Sequence, residues 1–222
     1  MVAVALRKGI VAVSTALIGI GAAQATPVTS PTALAGGTIV DFESYAVGAT
    51  GPIATSGMTI SATPGSAARV YSSLVPAAYT QYPGIVTGNI FGFDANVTFS
   101  IVFDNPVATF GMGVFDPNYP GFGSTNTNRL RAYDSAGNVL EETLSGTSNF
   151  PVGPPGGSFS TYVGFTYGSE LIKRIELVGA PGDLLGIDNI GYLSAQIPEP
   201  GSIALLVAGL AGLVGVVRRR SR

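Results

Sequence analysis

The chain has 222 residues and contains no cysteine, histidine or tryptophan. These absences exclude a Ser-His-Asp triad, a cysteine nucleophile, a disulfide framework and the usual zinc sites, so stability must come from a core or from bound ions. The 11 basic and 13 acidic residues nearly balance, and a hydrophobic fraction of 46% argues against disorder.

The N-terminal segment has the parts of a secretory signal peptide. A basic pair precedes an apolar run over 9–22, and Ala23 and Ala25 supply the small residues before a cleavage position. The run is short for a membrane-spanning helix. We therefore predict a signal peptide over 1–25 that is cleaved after Ala25. An uncleaved N-terminal anchor is the alternative.

The central segment, residues 26–197, is predicted to be a single exported domain, long enough for a proper core. It contains 5 basic and 12 acidic residues, a net charge of −7 that the basic ends of the chain mask. Such an acidic body argues against nucleic acid and anionic lipid as partners. It suits a soluble surface protein or one that holds divalent cations.

Short segments of alternating apolar and polar residues recur along this body, without a sustained helical period. The segment 97–103 alternates clearly, and an Asp-Asn-Pro turn at 104–106 separates it from a second such segment at 110–114, which predicts a hairpin. A second hairpin is predicted where 129–133 and 139–144 flank an Asp-Ser-Ala-Gly-Asn turn. Further strands are predicted at 38–42, 58–62, 69–74, 162–167, 174–178 and 187–193.

The number and spacing of these strands predict an all-β fold, a two-sheet antiparallel β-sandwich. Two long loops are predicted, over 117–128 and 145–160. Tyr119 and Phe122 in the first loop are candidate ligand-binding residues, because loops at the ends of a sandwich often bind and aromatic rings stack on sugars. The alternative is that these rings anchor the loop or fill the core.

The carboxylates of the body show no catalytic pattern. Glu141 and Glu142 are adjacent in a predicted strand, so they point to opposite faces and cannot flank one glycosidic bond. Other aspartates lie beside glycine, proline or asparagine and are predicted to serve turns, namely Asp94, Asp104, Asp116 and Asp183. We therefore expect no enzymatic activity, and a secreted hydrolase is the least favoured hypothesis.

The body opens with Asp-Phe-Glu at 41–43 and closes with Ile-Asp-Asn-Ile at 187–190. These motifs resemble those of the jelly-roll, galactose-binding-like domains found in many secreted carbohydrate-binding modules. The resemblance implies a jelly-roll-like sandwich whose first and last strands pair and whose carboxylates share a structural calcium ion. The calcium ligands would then be Asp41 or Glu43 together with Asp188, and hard oxygen ligands suit Ca²⁺. The alternative is that they cap strand ends or pair with arginines.

The C-terminal segment combines three features in a fixed order. Pro198, Glu199 and Pro200 come first. An uninterrupted apolar run over 201–217 follows, and as a helix it spans about 25 Å, enough for a thin hydrocarbon core. We predict a single transmembrane helix there, with the C-terminus held in the cytoplasm by basic residues. These are Arg218, Arg219, Arg220 and Arg222.

Pro-Glu-Pro, an apolar helix and an arginine cluster together resemble the PEP-CTERM sorting signal of Gram-negative bacteria that make exopolysaccharide. The resemblance implies that a membrane-embedded exosortase recognises residues 198–222 and cleaves near the tripeptide. Two prolines keep this segment extended, which suits binding by a protease. The implied route is export, anchoring in the inner membrane, and then release to the cell surface or extracellular matrix.

Three functional hypotheses follow from these observations. The first is a non-enzymatic surface or matrix protein that is sorted by its C-terminal signal. The second is a carbohydrate-binding module that recognises exopolysaccharide through Tyr119 and Phe122. The third is the secreted hydrolase.

Overall fold

The computed structural model describes residues 25–55, 57–63, 68–72, 85–119, 127–151, 157–169 and 171–194. The predicted signal peptide except Ala25, the Pro-Glu-Pro motif, the apolar run over 201–217, the arginine cluster and Phe122 lie outside these residues. Within them, no helix is long and apolar enough to cross a membrane.

The described residues form thirteen strands and one short 3-10 helix, Pro31–Leu34. In chain order the strands are β1 (Thr26–Val28), β2 (Thr38–Val40), β3 (Ile53–Thr55), β4 (Met58–Ala62), β5 (Arg69–Tyr71), β6 (Ile90–Ala95), β7 (Thr98–Val107), β8 (Thr109–Tyr119), β9 (Arg129–Tyr133), β10 (Val139–Leu144), β11 (Gly157–Thr166), β12 (Ile172–Val178) and β13 (Leu184–Leu193). The strand β1 begins directly after the predicted signal-peptide cleavage position.

The strands form two antiparallel sheets, as the sequence predicts. Sheet A has the order β1-β11-β8-β13-β6-β5, and β2 also pairs with β13. Sheet B has the order β10-β9-β12-β7-β4-β3. One hydrophobic cluster takes side chains from both sheets, so the core lies between them. The all-β architecture of two antiparallel sheets is therefore confirmed.

Strand alternation determines which side chains enter this core. In β7, Phe99, Ile101 and Phe103 are buried, whereas Val102 on the opposite face is exposed. The ring of Phe103 packs edge-on against Phe110 of β8, with centroids 6.0 Å apart. Burying each such side chain contributes roughly 1.5–3 kcal/mol. Because β7 and β8 belong to different sheets, this contact joins the two layers.

The hairpin predicted between 97–103 and 110–114 is wrong. The strand β7 continues through the predicted turn to Val107, and β8 belongs to the other sheet. The pairing of β7 with β12 jumps from Val102↔Arg174 to Val107↔Ile172, so the Asp-Asn-Pro segment lies in a bulge. The turn-forming residues thus bend the strand without reversing it, because Phe103 and Phe110 must both face the core.

The second predicted hairpin, β9–β10, is confirmed. The Asp134 side chain accepts hydrogen bonds from the backbone amides of Ala136 and Asn138 at 2.9 and 2.8 Å, which closes the turn. Hydrogen bonds from Asn138 lower the pKa of the Asp134 carboxyl. Among the other predicted turn residues, Asp183 follows a turn, but three are strand residues and their assignment was wrong. They are Asp94 in β6, Asp104 in β7 and Asp116 in β8.

Candidate functional site

The strands that carry the predicted calcium ligands pair with each other. The strand β2 pairs with β13 in antiparallel register, with Val40 opposite Ile190. Asp41 directly follows β2, and Asp188 lies within β13. The pairing implied by the motifs at 41–43 and 187–190 is therefore present, and it brings the two ends of the body together.

Asp188 lies under a backbone segment that crosses sheet A. Its register partner in β8 is Gly113, which is in turn opposite Tyr162 of β11. A Cβ atom at Gly113 would lie 1.8 Å from the carbonyl oxygen of Ile85. Only glycine allows the segment 85–89 to approach this closely, and Asp188 is fully buried in the structure.

The Asp188 carboxylate fastens this segment to the sheet. Its Oδ2 atom accepts hydrogen bonds from the Thr87 amide at 2.7 Å and from Asn189 Nδ2 at 3.2 Å. Asn189 Nδ2 also donates to the Ile85 carbonyl at 3.3 Å. The other carboxylate oxygen, Oδ1, is buried without a hydrogen-bond partner among the described residues. A buried oxygen of this kind has lost its hydration without full compensation.

Burial is the main electrostatic influence on this carboxyl. It raises the pKa of Asp188 to about 7, although hydrogen bonds from Thr87 and Asn189 act in the opposite direction. The negative charges of Glu43 and Asp41 raise the pKa further. Asp188 is therefore close to half protonated at neutral pH. The pKa of the buried Tyr162 hydroxyl is also raised, first by burial and then by the charge of Asp188.

A second carboxylate holds the same segment from the other side. Glu43 Oε1 accepts a hydrogen bond from the Asn89 amide at 2.7 Å, and Asn89 Nδ2 donates to the Phe42 carbonyl at 3.2 Å. Asp41 Oδ1 accepts from the Glu43 amide at 3.3 Å. Gly88, between the two anchored amides, has a φ of +64°. The segment is thus fixed by carboxylates at both Thr87 and Asn89.

The three predicted calcium ligands are close enough to interact electrostatically, but they are not gathered into a metal-ligating group. In the part of the chain that the structure describes, no three His, Cys, Asp or Glu side chains could hold a metal ion together. Glu43 and Asp41 are exposed and each accept a hydrogen bond from a backbone amide, whereas Asp188 Oδ1 is buried without a hydrogen-bond partner among the described residues. As they stand, these residues do not form a complete Ca²⁺ site, and calcium binding stays a prediction.

Calcium binding predicts a modest thermal stabilisation. At about 5 mM Ca²⁺, roughly the top of the affinity range of extracellular sites, we expect the melting temperature of the chelated protein to rise by the equivalent of about 1 kcal/mol. Differential scanning calorimetry measures this rise. Asp188→Ala should abolish it, whereas Asp104→Ala, an exposed aspartate of β7, should keep it. An unchanged wild-type melting curve would remove calcium from consideration.

The predicted sugar-stacking residues are placed differently from expectation. Tyr119 is the last residue of β8, opposite Gly157 of β11, so the first predicted loop begins later than the sequence suggested. Phe122 lies outside the described residues. Carbohydrate stacking by this pair stays a prediction.

The sequence did not predict the residues that donate hydrogen bonds to these carboxylates. Thr87 and Asn89 contribute backbone amides, which any residue except proline provides, so their identities carry no signal. Asn189 belongs to the 187–190 motif, but the motif alone does not indicate that its side chain binds Asp188 and the 85–89 segment. Its φ of 45° is a left-handed conformation that asparagine tolerates well. The asparagine directly after Asp188 is the sequence feature that could have indicated this role.

Comparison with known families concerns the C-terminal segment. A family model described as the PEP-CTERM protein-sorting motif matches residues 196–221. The chain carries a PEP-CTERM sorting motif. The match includes Pro198, Glu199 and Pro200, the predicted helix and the three arginines at 218–220. The PEP-CTERM motif implies a secreted surface protein that an exosortase processes at the membrane.

Comparison of the body with known proteins is less informative. No curated protein is similar to the chain in sequence. Among solved structures, the enzymatically active domain of bacteriophage CBA120 tailspike protein 4 aligns with a TM-score of 0.36 and 14% identity. The alignment covers 67% of this chain and 21% of that one, so the chain spans about a fifth of the tailspike domain. A likeness this distant carries no argument about function.

Proposed function

We propose that this chain is a non-enzymatic protein of the cell surface or extracellular matrix of an exopolysaccharide-producing Gram-negative bacterium. It is exported by the signal peptide over 1–25, anchored in the inner membrane by the helix over 201–217, and released by an exosortase. The observation that carries this proposal is the PEP-CTERM motif at 196–221, which begins shortly after β13 ends at Leu193.

The fold supports release of the body at this position. The strand β13 pairs with β8 on one side and with β6 and β2 on the other, so it is a central strand of sheet A. Its last paired residue is Leu193, opposite Thr109. Cleavage near Pro198–Pro200 would remove the membrane segment and leave every strand pair of sheet A in place.

The hydrogen bonds of the carboxylates at this site support a structural role for it. Asp188 and Glu43 both accept hydrogen bonds from backbone amides of one segment. A catalytic carboxylate must instead reach a substrate atom. The polar groups described around Asp188 therefore suit the fastening of the 85–89 segment better than bond cleavage.

Processing by an exosortase predicts a defined new C-terminus. Intact-mass measurement of the protein released from cells should give a C-terminus near Pro198–Pro200. Changing Pro198 and Pro200 to alanine should leave the protein in the membrane fraction, because the extended recognition segment is lost. The matched control Pro151→Ala, at an exposed position of the body, should be released normally. Released protein that still contains Arg222 would disprove the proposal.

A further inference from the structure

A groove of about 320 Å³ lies at one end of sheet B, whereas Asp188 lies in sheet A. It forms where β9 begins and β12 ends, and these strands place Arg129 opposite Val178. In β9, Leu130 and Ala132 are buried in the core, so Arg129 and Arg131 share the outward face. The lining residues are Thr127, Arg129, Arg131, Gly179, Ala180 and Pro181, with Val178 at the edge of β12.

The groove contains a cation that forms no ion pair within the part of the chain that the structure describes. Arg129 is exposed and forms no ion pair with any described carboxylate. The other four basic residues of the body are engaged: Arg131 with Glu142, Arg174 with Glu176, Lys173 with the carbonyls of Phe103 and Asp104, and Arg69 with the ring of Tyr71. In a body of net charge −7, this guanidinium is available to an anion.

Hydrogen bonds of a buried asparagine hold the turn that lines the groove. Asn128 is 3% exposed, and its Oδ1 accepts a hydrogen bond from the Ala180 amide at 2.7 Å. Its Nδ2 donates to Asp183 Oδ2 at 2.9 Å, and its amide donates to Ser145 Oγ at 2.9 Å. Gly182 is held in turn by Asn96 Oδ1 at 3.0 Å. The turn that lines the groove is therefore preformed, as ligand sites usually are.

The carboxylates described around the groove form no ion pair with Arg129. Glu142 is bonded to Arg131, and this hydrogen bond is the main reason why the pKa of Arg131 is raised. Asp183 is directed at Asn128. Among the described residues, the groove thus combines one guanidinium that forms no ion pair with a second guanidinium that is paired with Glu142.

We propose that this groove binds a carboxylate-bearing sugar, such as a uronate unit of an acidic polysaccharide. A guanidinium binds a carboxylate through two parallel hydrogen bonds, which a hydroxyl cannot match. The side chains of Val178 and Pro181 add apolar surface beside the two arginines, which suits the C–H face of a sugar ring. The volume is within the range for a small ligand. The choice of polysaccharide rests on the proposed function.

The test is calorimetric titration of the full chain in detergent with oligogalacturonate, a defined uronate oligomer. Arg129→Ala should weaken binding by about tenfold or more, the usual effect of losing a charged hydrogen bond. Thr127→Glu, which adds a like charge at the rim, should weaken binding similarly. The matched control Arg69→Ala removes an exposed arginine far along the chain in sheet A and should bind as the wild type does. Melting curves establish that each variant is folded.

Four further outcomes decide the proposal. Neutral dextran should not bind, and oligogalacturonate binding should weaken as salt is raised. Equal binding by the wild type and by folded Arg129→Ala and Thr127→Glu would overturn the site. Tighter binding of poly-glutamate or dextran sulfate than of oligogalacturonate would overturn the assignment to a carboxylated sugar. The C-terminal mass of the released protein tests the surface function independently, so the two proposals can fail separately.

Discussion

Replacing Gly113 by alanine is expected to lower the free energy of unfolding by about 3 kcal/mol or more. The added Cβ would lie 1.8 Å from the Ile85 carbonyl oxygen, a backbone atom that cannot rotate away. The segment 85–89 must then lift from sheet A, and the Thr87 amide leaves Asp188 Oδ2. Urea denaturation measures the loss, and amide hydrogen exchange at Thr87 and Asn89 should become faster in the variant.

The matched control for this substitution is Gly168→Ala. No heavy atom lies within 4 Å of a Cβ built at Gly168, so the same methyl group meets nothing. We expect its stability to stay within about 1 kcal/mol of the wild type. If Gly113→Ala were as stable as Gly168→Ala, the close approach of the 85–89 segment to β8 would be refuted.

Stability of the protein is expected to fall as the pH rises from about 4 to about 7 in the absence of calcium. Burial raises the pKa of Asp188 from its ordinary 3.8 to about 7, so the folded state binds this proton more tightly than the unfolded state. The stabilising contribution is therefore fully present below pH 3.8 and is lost as the pH passes through about 7. Its full size is on the order of 4 kcal/mol.

Asp188→Asn isolates this contribution, because asparagine cannot ionise and its side-chain oxygen can still accept from Thr87. The difference in unfolding free energy, variant minus wild type, should rise between pH 4 and pH 8 in chelated samples. The charges of Asp41 and Glu43 also raise the pKa of this group and so add to the change. Parallel pH curves for the two proteins would show that Asp188 titrates normally. If Ca²⁺ binds the ionised carboxylate, adding it should raise the stability of the wild type at pH 7 and above, and so reduce the fall between pH 4 and pH 8.

The fold was predictable where local pattern and turn chemistry agree. The strands β4, β9 and β10 have the predicted bounds, because alternation and the Asp134 turn specify them locally. The hairpin that was wrongly predicted shows the opposite case. The turn-forming residues at 104–106 lie in a bulge of β7, because β7 continues to pair with β12 on both sides of them. The strand β6 was missed because Gly92, at φ +150°, interrupts its alternation.

The candidate site was predictable only in part. The motifs at 41–43 and 187–190 correctly placed the two carboxylate-bearing strands side by side. Their hydrogen-bond partners lie in the segment 85–89, separated from Asp188 by about a hundred residues of chain. Hydrogen bonds from backbone amides so distant in sequence cannot be predicted from composition or periodicity. The groove at Arg129 could not be predicted from the sequence either, because the sequence does not show which basic residues form ion pairs in the folded protein.

In the proposed export route, the position of β13 constrains how the protein can fold. This strand is the last of the described body, yet it occupies the centre of sheet A between β8 and the strands β6 and β2. Sheet A cannot close until the chain is available as far as β13, and pairing between such distant segments is slow. The apolar side chains of sheet A therefore stay exposed to solvent until β13 pairs with its neighbours. Because the sorting motif at 196–221 follows β13 so closely, the proposed route would place final folding at the membrane surface, before an exosortase releases the chain.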